Sequence, residues 1–277
     1  MPLHSLKFVL VSLLSLLLMQ RGMAQSVQSS STAKQTKVLI VVTNHAKFPS
    51  RDDKTGLWLT ELTHFYKPMK EAGIDVDIAS PSGGVVPLDQ RSLGWLYSDR
   101  EATAYLADPA FMALLKSSKA ASSIEPSEYS AVYFAGGHGA MWDFRGVGHL
   151  KRIAEAIYQR GGIVSSVCHG AAALIELQTE DGSPLIKGRK ITGFSNTEET
   201  LSGLEDQVPY ALQDALQTRG ALYEKSWVPF KSFAIVDGRI VTGQNPWSTK
   251  AVATAVIQLL REQASKPLPA ASSSSKQ

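Results

Sequence analysis

The sequence predicts a single α/β domain: a mostly parallel sheet with helices on both faces, arranged as a flavodoxin-like three-layer sandwich. Three observations predict it. Short runs of β-branched and other apolar residues recur along the chain, as in strands buried on both faces. Amphipathic segments of helical period separate these runs, and glycine-rich turns follow several of them. Strands that alternate with helices in this way assemble into parallel sheets.

The predicted strands recur throughout the chain. The run at 37–43 is continuous and β-branched, which is typical of a fully buried strand. Asp237-Gly238 separates two further runs and favours a tight hairpin turn between them. In chain order, the predicted strands are 37–43, 74–79, 131–135, 161–167, 190–194, 233–236 and 239–242.

The predicted helices alternate with these strands. In the first, 57–72, the apolar side chains share one face, and Pro68 is expected to kink or interrupt the helix. The region 85–128 is less regular and carries two short helical pieces. In chain order, the predicted helices are 57–72, 101–107, 109–119, 150–157, the alanine-rich segment after Cys168, 209–219 and 252–260.

The two ends of the chain differ in composition from the domain between them. Residues 1–24 are typical of an export signal: Lys7 precedes an apolar run at 8–19, and cleavage is expected after Ala24. The apolar run is short for a membrane span, so a periplasmic or secreted protein is expected, and an uncleaved anchor is the alternative. Residues 25–36 read as a flexible linker and 264–277 as a disordered tail. The predicted domain is therefore 37–263.

The charge and cysteine content exclude several classes of function. The net charge is +3, from 28 basic and 25 acidic residues without a basic cluster, so no nucleic-acid partner is indicated. The chain has one cysteine and cannot form an internal disulfide. That cysteine is therefore an inert buried side chain, a site of intermolecular pairing or a reactive thiol.

Cys168 lies between a glycine-led strand and an alanine-rich helix, at a strand-to-helix turn. The free N–H groups of the helix would face its sulfur and stabilise a thiolate. We therefore expect Cys168 to be an ionised nucleophile on an elbow-like turn. Because ionisation alone increases the thiolate population at most about thirtyfold, positioning and oxyanion donors must supply the rest.

Three further groups could complete a site with Cys168. The turn Gly136-Gly137-His138 is suited to present backbone N–H groups to a developing oxyanion. His169 follows the cysteine directly, but neighbouring residues at a helix start point in different directions, so a hydrogen bond between them is not assured. An acid is needed to orient His169. The spacing alone leaves four candidates, which are Glu198, Glu199, Glu205 and Asp206.

Glu61 is a second carboxylate of interest because it lies within the apolar face of its helix. Burial would raise its pKa and allow it to act as a general acid or base beside the thiol. The alternative is an edge position from which the carboxylate reaches water.

No cofactor is expected from the motifs. The histidines show no close-spaced ligand pattern such as HxxxH, so we expect no metal site. Neither a Walker A sequence nor GxGxxG is present, so no nucleotide is indicated.

Six short motifs occur in a fixed order along the chain. They are Thr55-Gly56 with Glu61, Ser80-Pro81 with Gly83-Gly84, residues 135–139 (AGGHG), residues 167–170 (VCHG), residues 191–194 (ITGF) with Glu199, and residues 242–246 (TGQNP). Together they resemble the PfpI-type superfamily, which has the class I glutamine-amidotransferase-like fold, over about residues 37–260. The resemblance extends to the branch of glutathione-independent glyoxalase III and heat-shock chaperones.

The resemblance implies a triad of Cys168, His169 and Glu199, with Glu61 in contact with the cysteine and with Gly137 and His169 backbone groups at the oxyanion. It implies conversion of methylglyoxal to lactate through a hemithioacetal and an enediol. A small dicarbonyl substrate and a homodimer are expected. The alternatives are a cysteine hydrolase on the same fold, either a deglycase or a peptidase, and a non-catalytic chaperone or oxidative-stress sensor.

Overall fold

Seven strands form the central sheet of the protein, and six of them run parallel. The computed structural model describes residues 36–265, and the sheet order is β3-β2-β1-β4-β5-β9-β8. The edge strand β8 pairs antiparallel with β9 in the predicted hairpin. The strands are β1 (Lys37–Val41), β2 (Asp75–Ser80), β3 (Lys119–Ala120), β4 (Ala131–Phe134), β5 (Ile163–Val167), β6 (Lys190–Ile191), β7 (Leu222–Tyr223), β8 (Ala234–Asp237) and β9 (Ile240–Gly243).

Eight α-helices of the described residues surround this sheet. Helices α1 and α8 pack together, α8 also contacts β5 and β9, and α5 packs against β4 and β5. The predicted mostly parallel sheet flanked by helices is therefore confirmed. The helices are α1 (Leu59–Glu71), α2 (Arg100–Ala107), α3 (Pro109–Lys116), α4 (Ala140–Asp143), α5 (Gly148–Gln159), α6 (Asn196–Ser202), α7 (Leu212–Thr218) and α8 (Thr249–Ser265).

Several local predictions differ from the structure. Pro68 does not interrupt α1, which continues to Glu71, because the proline falls in the last turn and disturbs few backbone hydrogen bonds. The segment Cys168–Leu174 is a 3-10 helix rather than an α-helix. Its Gly170 lies so close to the Phe134 carbonyl that a Cβ could not fit, so tight packing determines this segment.

The predicted strand at 190–194 is shorter and lies outside the central sheet. Only Lys190–Ile191 is extended, and it pairs in parallel with β7 in a separate two-stranded sheet. The last helix continues through Ser265, two residues beyond the predicted end of the domain.

The parallel register brings three chain segments to one edge of the sheet. Val41 of β1 pairs with Phe134 of β4, and Phe134 pairs with Ser166 of β5. The residues that follow these strands are therefore neighbours in space although they are distant in sequence. Ligands bind at this carboxyl edge in open α/β sheets.

The predicted export signal, most of the predicted linker and the tail from residue 266 lie outside the described residues. Within residues 36–265, no helix combines the length and the apolar character needed to cross a membrane.

Candidate active site

Cys168 follows β5 directly and has a left-handed backbone, with φ of 57°. A non-glycine residue in this conformation is strained, and such strain is held in place by the surrounding structure. The tight turn is the elbow that the sequence predicted. The side chain is only 3% exposed, yet it lies on the wall of a cavity of about 370 Å³. The thiol is therefore accessible to a small molecule rather than sealed in the core.

His169 is in contact with the thiol despite being its immediate neighbour. Cys168 Sγ lies 3.3 Å from His169 Nδ1. On the other side of the ring, His169 Nε2 lies 2.7 Å from Glu199 Oε2. Of the four acids that the spacing left open, the structure therefore places Glu199 against His169. Sulfur, imidazole and carboxylate form one line of hydrogen bonds.

Glu198, in contrast, has a structural position next to the site. Its Oε2 accepts hydrogen bonds from the Ser195 backbone and hydroxyl in a capping box at the start of α6. Its Oε1 accepts from Phe230 N–H and from the Asn245 side-chain amide. These donors occupy Glu198 fully and fix the turn from which Glu199 projects.

His138 and Arg91 determine the protonation of the triad. Arg91 can only donate, so its bond of 3.0 Å to His138 Nδ1 requires that nitrogen to be unprotonated. The proton of His138 therefore sits on Nε2, which donates to Glu199 Oε1 at 2.8 Å. Glu199 accepts at both oxygens, since His169 Nε2–H donates to the other. His169 Nδ1 is then left as an acceptor that faces the thiol.

The pKa values in this network follow from its donors. Burial alone would raise the pKa of Glu199, but the neighbouring His169 and His138 hold it well below its usual range. Burial lowers the pKa of His138 to about 4, helped by the nearby His169. At neutral pH, Glu199 is therefore an anion and His138 is a neutral donor.

Sequence reasoning missed Arg91 and Asp89. Asp89 is fully buried, accepts from Arg91 Nε at 2.9 Å, and forms an ion pair with its terminal nitrogen. Both residues lie at the start of the irregular region 85–128, where no periodicity or motif marks them. The contact between Arg91 and His138 joins residues 47 positions apart, and only the folded topology shows it.

Glu61 is completely buried, so the alternative in which it reaches water is wrong. Its Oε2 accepts the Gly136 N–H at 2.7 Å, and the carboxyl also interacts with the Cys168 thiol. Its Oε1 lacks a hydrogen bond of ordinary geometry among the described residues. Burial raises the pKa of Glu61 to about 8, although the Gly136 and Cys168 hydrogen bonds oppose the increase. Near neutral pH, Glu61 is largely a neutral acid.

The expectation of an ionised thiol at rest needs correction. Burial and the nearby Glu61 charge raise the pKa of Cys168 well above its ordinary value, while the His169 backbone N–H opposes that increase. The stabilisation expected from the helix start is too weak, because the thiol is desolvated and faces a carboxyl group. The resting sulfur is therefore a thiol, and His169 Nδ1 is the base placed to remove its proton.

The predicted oxyanion donors are also revised. The Gly136 N–H is donated to Glu61, so it is not free for a substrate oxygen. Both ring nitrogens of His138 are occupied, which leaves its backbone N–H as the donor that the sequence predicted. Within residues 36–265, the Gly137 N–H has no acceptor. Gly137 has φ of 94°, and a Cβ there would collide with the Gly56 carbonyl, so this tight turn requires glycine.

The cluster of His138, His169 and Glu199 also has the chemistry of a metal site. Three possible ligand atoms lie within 4.8 Å of one another, and no close-spaced sequence motif signals them. Hydrogen bonds within the cluster already join both imidazoles to the carboxylate. A metal bound here would displace the proton with which His169 is held against Glu199.

Comparison with known proteins agrees with this geometry. The model of the DJ-1/PfpI family matches residues 55–259. The curated Glyoxalase 3 of Candida albicans is 33% identical to this chain, and the match covers 80% of this chain and 97% of that protein. The glutathione-independent glyoxalase HSP31 of Saccharomyces cerevisiae is 32% identical, with 81% and 98% covered.

A solved structure is also similar along most of the chain. The Rapid Encystment Protein 24 KDa of Francisella tularensis is 38% identical, with a TM-score of 0.78, and the match covers 82% of this chain and 99% of that one. The family match spans the cysteine turn, the buried glutamate and the triad. The chain therefore belongs to the DJ-1/PfpI family.

Proposed function

We propose that this protein is a glutathione-independent glyoxalase that converts methylglyoxal, or a related 2-oxoaldehyde, and water to lactate or the corresponding 2-hydroxy acid. One observation carries the proposal: a thiol on a cavity wall lies between an imidazole base and a buried carboxylic acid. The names of the two curated relatives support it. In this proposal Cys168, His169, Glu61 and Glu199 are the working side chains.

The first step is addition of the Cys168 sulfur to the aldehyde carbon. His169 Nδ1 takes the thiol proton as the carbon–sulfur bond forms, and anionic Glu199 stabilises the resulting imidazolium. The aldehyde oxygen becomes an oxyanion that the Gly137 backbone N–H is suited to bind. His169 then returns the proton to this oxygen, and the product is a hemithioacetal.

The second step moves a proton between the two substrate carbons. A base removes the hydrogen from the former aldehyde carbon to give an enediol, and the neighbouring carbon is then protonated to give a thioester. Glu61 suits this exchange because a pKa of about 8 leaves an ionised fraction near neutral pH that can take this proton, and the acid so formed can return it to the neighbouring carbon. Hydrolysis of the thioester by one water molecule releases the 2-hydroxy acid and restores the thiol. The redox change is internal to the substrate, so the reaction needs no external oxidant or reductant.

The charges in the cavity agree with a reaction that does not use glutathione. Arg91 is the one Lys or Arg among the described residues that line the cavity, and buried Asp89 neutralises it. A glutathione adduct would bring two carboxylates, and the cavity offers them no free cation. An uncharged dicarbonyl avoids that desolvation cost.

The test is turnover of methylglyoxal by protein lacking residues 1–24, without glutathione and with lactate measured directly. Cys168→Ala should reduce kcat/KM by about 10⁴-fold, since the nucleophile is lost. Glu61→Gln should reduce it by about 10³-fold while retaining the acceptor for Gly136 N–H. Glycated amines and peptides are assayed alongside. Full activity in purified Cys168→Ala, or turnover of the amines or peptides alone, contradicts the proposal.

We also propose that the protein is exported and acts as a homodimer. Lys7, the apolar run at 8–19 and Ala24 support export. Amino-terminal sequencing of protein from the periplasm or medium should begin at Gln25, and sedimentation should give twice the monomer mass. An intact amino terminus in the cell, or a monomer, contradicts the respective part.

A further inference from the structure

The cavity at Cys168 is much larger than methylglyoxal requires. Its volume is about 370 Å³, whereas one water molecule occupies about 30 Å³ in the liquid. Methylglyoxal is only a few times larger than water, so it would leave most of the cavity unfilled. The remaining volume lies in the same cavity as the sulfur and therefore next to the substituent of a bound 2-oxoaldehyde.

An arc of aromatic rings lines this remaining volume. It begins at Phe194, whose ring centroid lies 4.4 Å from that of His169. The next ring is Phe230, whose centroid lies 6.3 Å from that of Phe194, and the Trp247 centroid lies 5.7 Å from that of Phe230. The Tyr97 centroid lies 6.2 Å from that of Trp247, and the Trp58 centroid lies 5.2 Å from that of Tyr97. These separations are typical of attractive edge-to-face or tilted ring pairs, and a further ring fits such a lining well.

The ionisable groups of the cavity, apart from the Tyr97 hydroxyl, lie at its chemical end, where Arg91 also lies over the Trp58 ring of the arc. Arg91, His138 and the thiol are joined to the network around Glu199, Asp89 and Glu61. The arc side presents aromatic carbon, together with Leu201, Pro246 and Ser202, whose hydroxyl already donates to the Glu198 carbonyl. A substituent on this side would therefore gain from apolar burial without leaving a polar group unpaired.

We propose that the cavity is a specificity site for 2-oxoaldehydes with an aromatic substituent. These substrates bind with the dicarbonyl at Cys168 and with the substituent ring against the arc of aromatic rings. The inference rests on the proposed function and specifies its substrate class. Phenylglyoxal represents the class. The bonds made and broken are those of methylglyoxal turnover, so phenylglyoxal and water give mandelate.

The experiment compares kcat/KM for phenylglyoxal and methylglyoxal in wild-type protein and in Trp247→Ala. Trp247 is 46% exposed at the rim of the cavity, so its removal leaves the core intact. The matched control is Trp227→Ala, because Trp227 is fully exposed and is not among the described residues that line the cavity. Since the two substrates differ in intrinsic reactivity, the quantity compared is the ratio of their kcat/KM values in each protein.

We expect Trp247→Ala to lower the phenylglyoxal-to-methylglyoxal ratio by about tenfold, or about 1.4 kcal/mol, mainly through KM for phenylglyoxal. Trp227→Ala should leave the ratio as in wild type. Mandelate should also inhibit wild-type protein at lower concentrations than lactate, a readout that does not depend on aldehyde reactivity.

The outcomes separate the two proposals. If methylglyoxal is turned over but Trp247→Ala leaves the ratio unchanged, or lowers it no more than Trp227→Ala, the aromatic site is wrong and the glyoxalase proposal stands. Equal inhibition by mandelate and lactate also contradicts the aromatic site. If neither aldehyde is turned over, both proposals fail.

Discussion

Two buried glutamates flank the Cys168–His169 pair, and their surroundings drive their pKa values in opposite directions. Glu61 is completely buried with one backbone donor, and its pKa rises to about 8. Glu199 is nearly as buried but accepts from two histidines, and its pKa falls well below the usual range. Burial therefore does not decide whether a carboxyl group is charged here. The number and kind of donors decide it.

The difference gives each glutamate a separate task. Anionic Glu199 can stabilise a positive charge on His169 when the thiol proton moves to that ring. Neutral Glu61 can lie beside the sulfur without adding a second negative charge, and it retains a proton to exchange with substrate. Two carboxylates in different environments thus provide one permanent charge and one mobile proton.

The comparison predicts that Glu61 destabilises the fold as the pH rises. Its pKa is about 8 in the folded protein against 4.5 ordinarily. Between these values the folded state therefore binds the extra proton, and the free energy of unfolding falls with increasing pH. Glu61→Gln removes this dependence. From pH 5 to pH 8, the free energy of unfolding of the variant should therefore rise by about 3 kcal/mol relative to that of wild type.

Chemical denaturation of both proteins at pH 5 and pH 8 measures the effect. His138, Glu199 and the other titrating groups are present in both, so the difference between the two proteins isolates Glu61. If the two stability curves run parallel across this range, Glu61 is already ionised in the folded state, and the contrast between the two glutamates is wrong.

The second prediction tests the other glutamate. A glutamine at position 199 can accept from one histidine only, because its other end is a donor. Glu199→Gln therefore forces one imidazole to change tautomer or lose its partner, and it removes the charge that stabilises the imidazolium. We expect kcat to fall by about 10²-fold, with a smaller change in KM.

Glu198→Gln is the matched control for Glu199→Gln. Glu198 accepts four hydrogen bonds from Ser195, Phe230 and Asn245. In Glu198→Gln the new side-chain NH₂ group would face some of these donors, so the variant should have a lower melting temperature. Its kcat should fall less than that of Glu199→Gln. The assignment of roles fails if Glu198→Gln loses more activity than Glu199→Gln while remaining folded.

The sequence alone partly distinguishes the roles of Glu198 and Glu199. Ser195-Asn196-Thr197-Glu198 has the S-x-x-E pattern of a capping box. This pattern assigns Glu198 to the helix start and so favours Glu199 for His169. The resemblance to the family gave the same residue, whereas reasoning from spacing left four acids open.

Features set by local pattern were predicted well, and features set by long-range contact were not. The strand-to-helix turn at Cys168 and the inward face carrying Glu61 follow from periodicity within a few residues. The pKa of the thiol depends on how closely a carboxyl 107 positions away approaches it, and Arg91 meets His138 across 47 positions. Contacts over such separations leave no local signal in the sequence. The expected ionised thiol at Cys168 was therefore wrong, and Arg91 was missed.

The smallest expected effect concerns Arg91, a positioning residue that donates to His138 Nδ1 and so adds to burial in opposing protonation of that ring. Arg91→Lys retains a positive charge near Asp89 but loses the bidentate pair and the bond to His138 Nδ1. His138, whose pKa of about 4 depends on burial first and on Arg91 among its neighbours, should then titrate closer to its usual range. Protonated His138 would compete with His169 for the charge of Glu199.

We therefore expect Arg91→Lys to lose about threefold in kcat/KM at pH 8 and about tenfold at pH 5.5. Arg51→Lys is the control, because Arg51 also pairs with an aspartate and lies over the Phe48 ring, but at the surface. Its pH profile should match wild type. A uniform loss at all pH values in Arg91→Lys would mean that Arg91 only supports the fold, since a structural defect does not follow the titration of one imidazole. If the acid limb of the kcat/KM profile instead moves to higher pH, Arg91 at the cavity rim influences the protonation of the network that joins Cys168, His169 and Glu199.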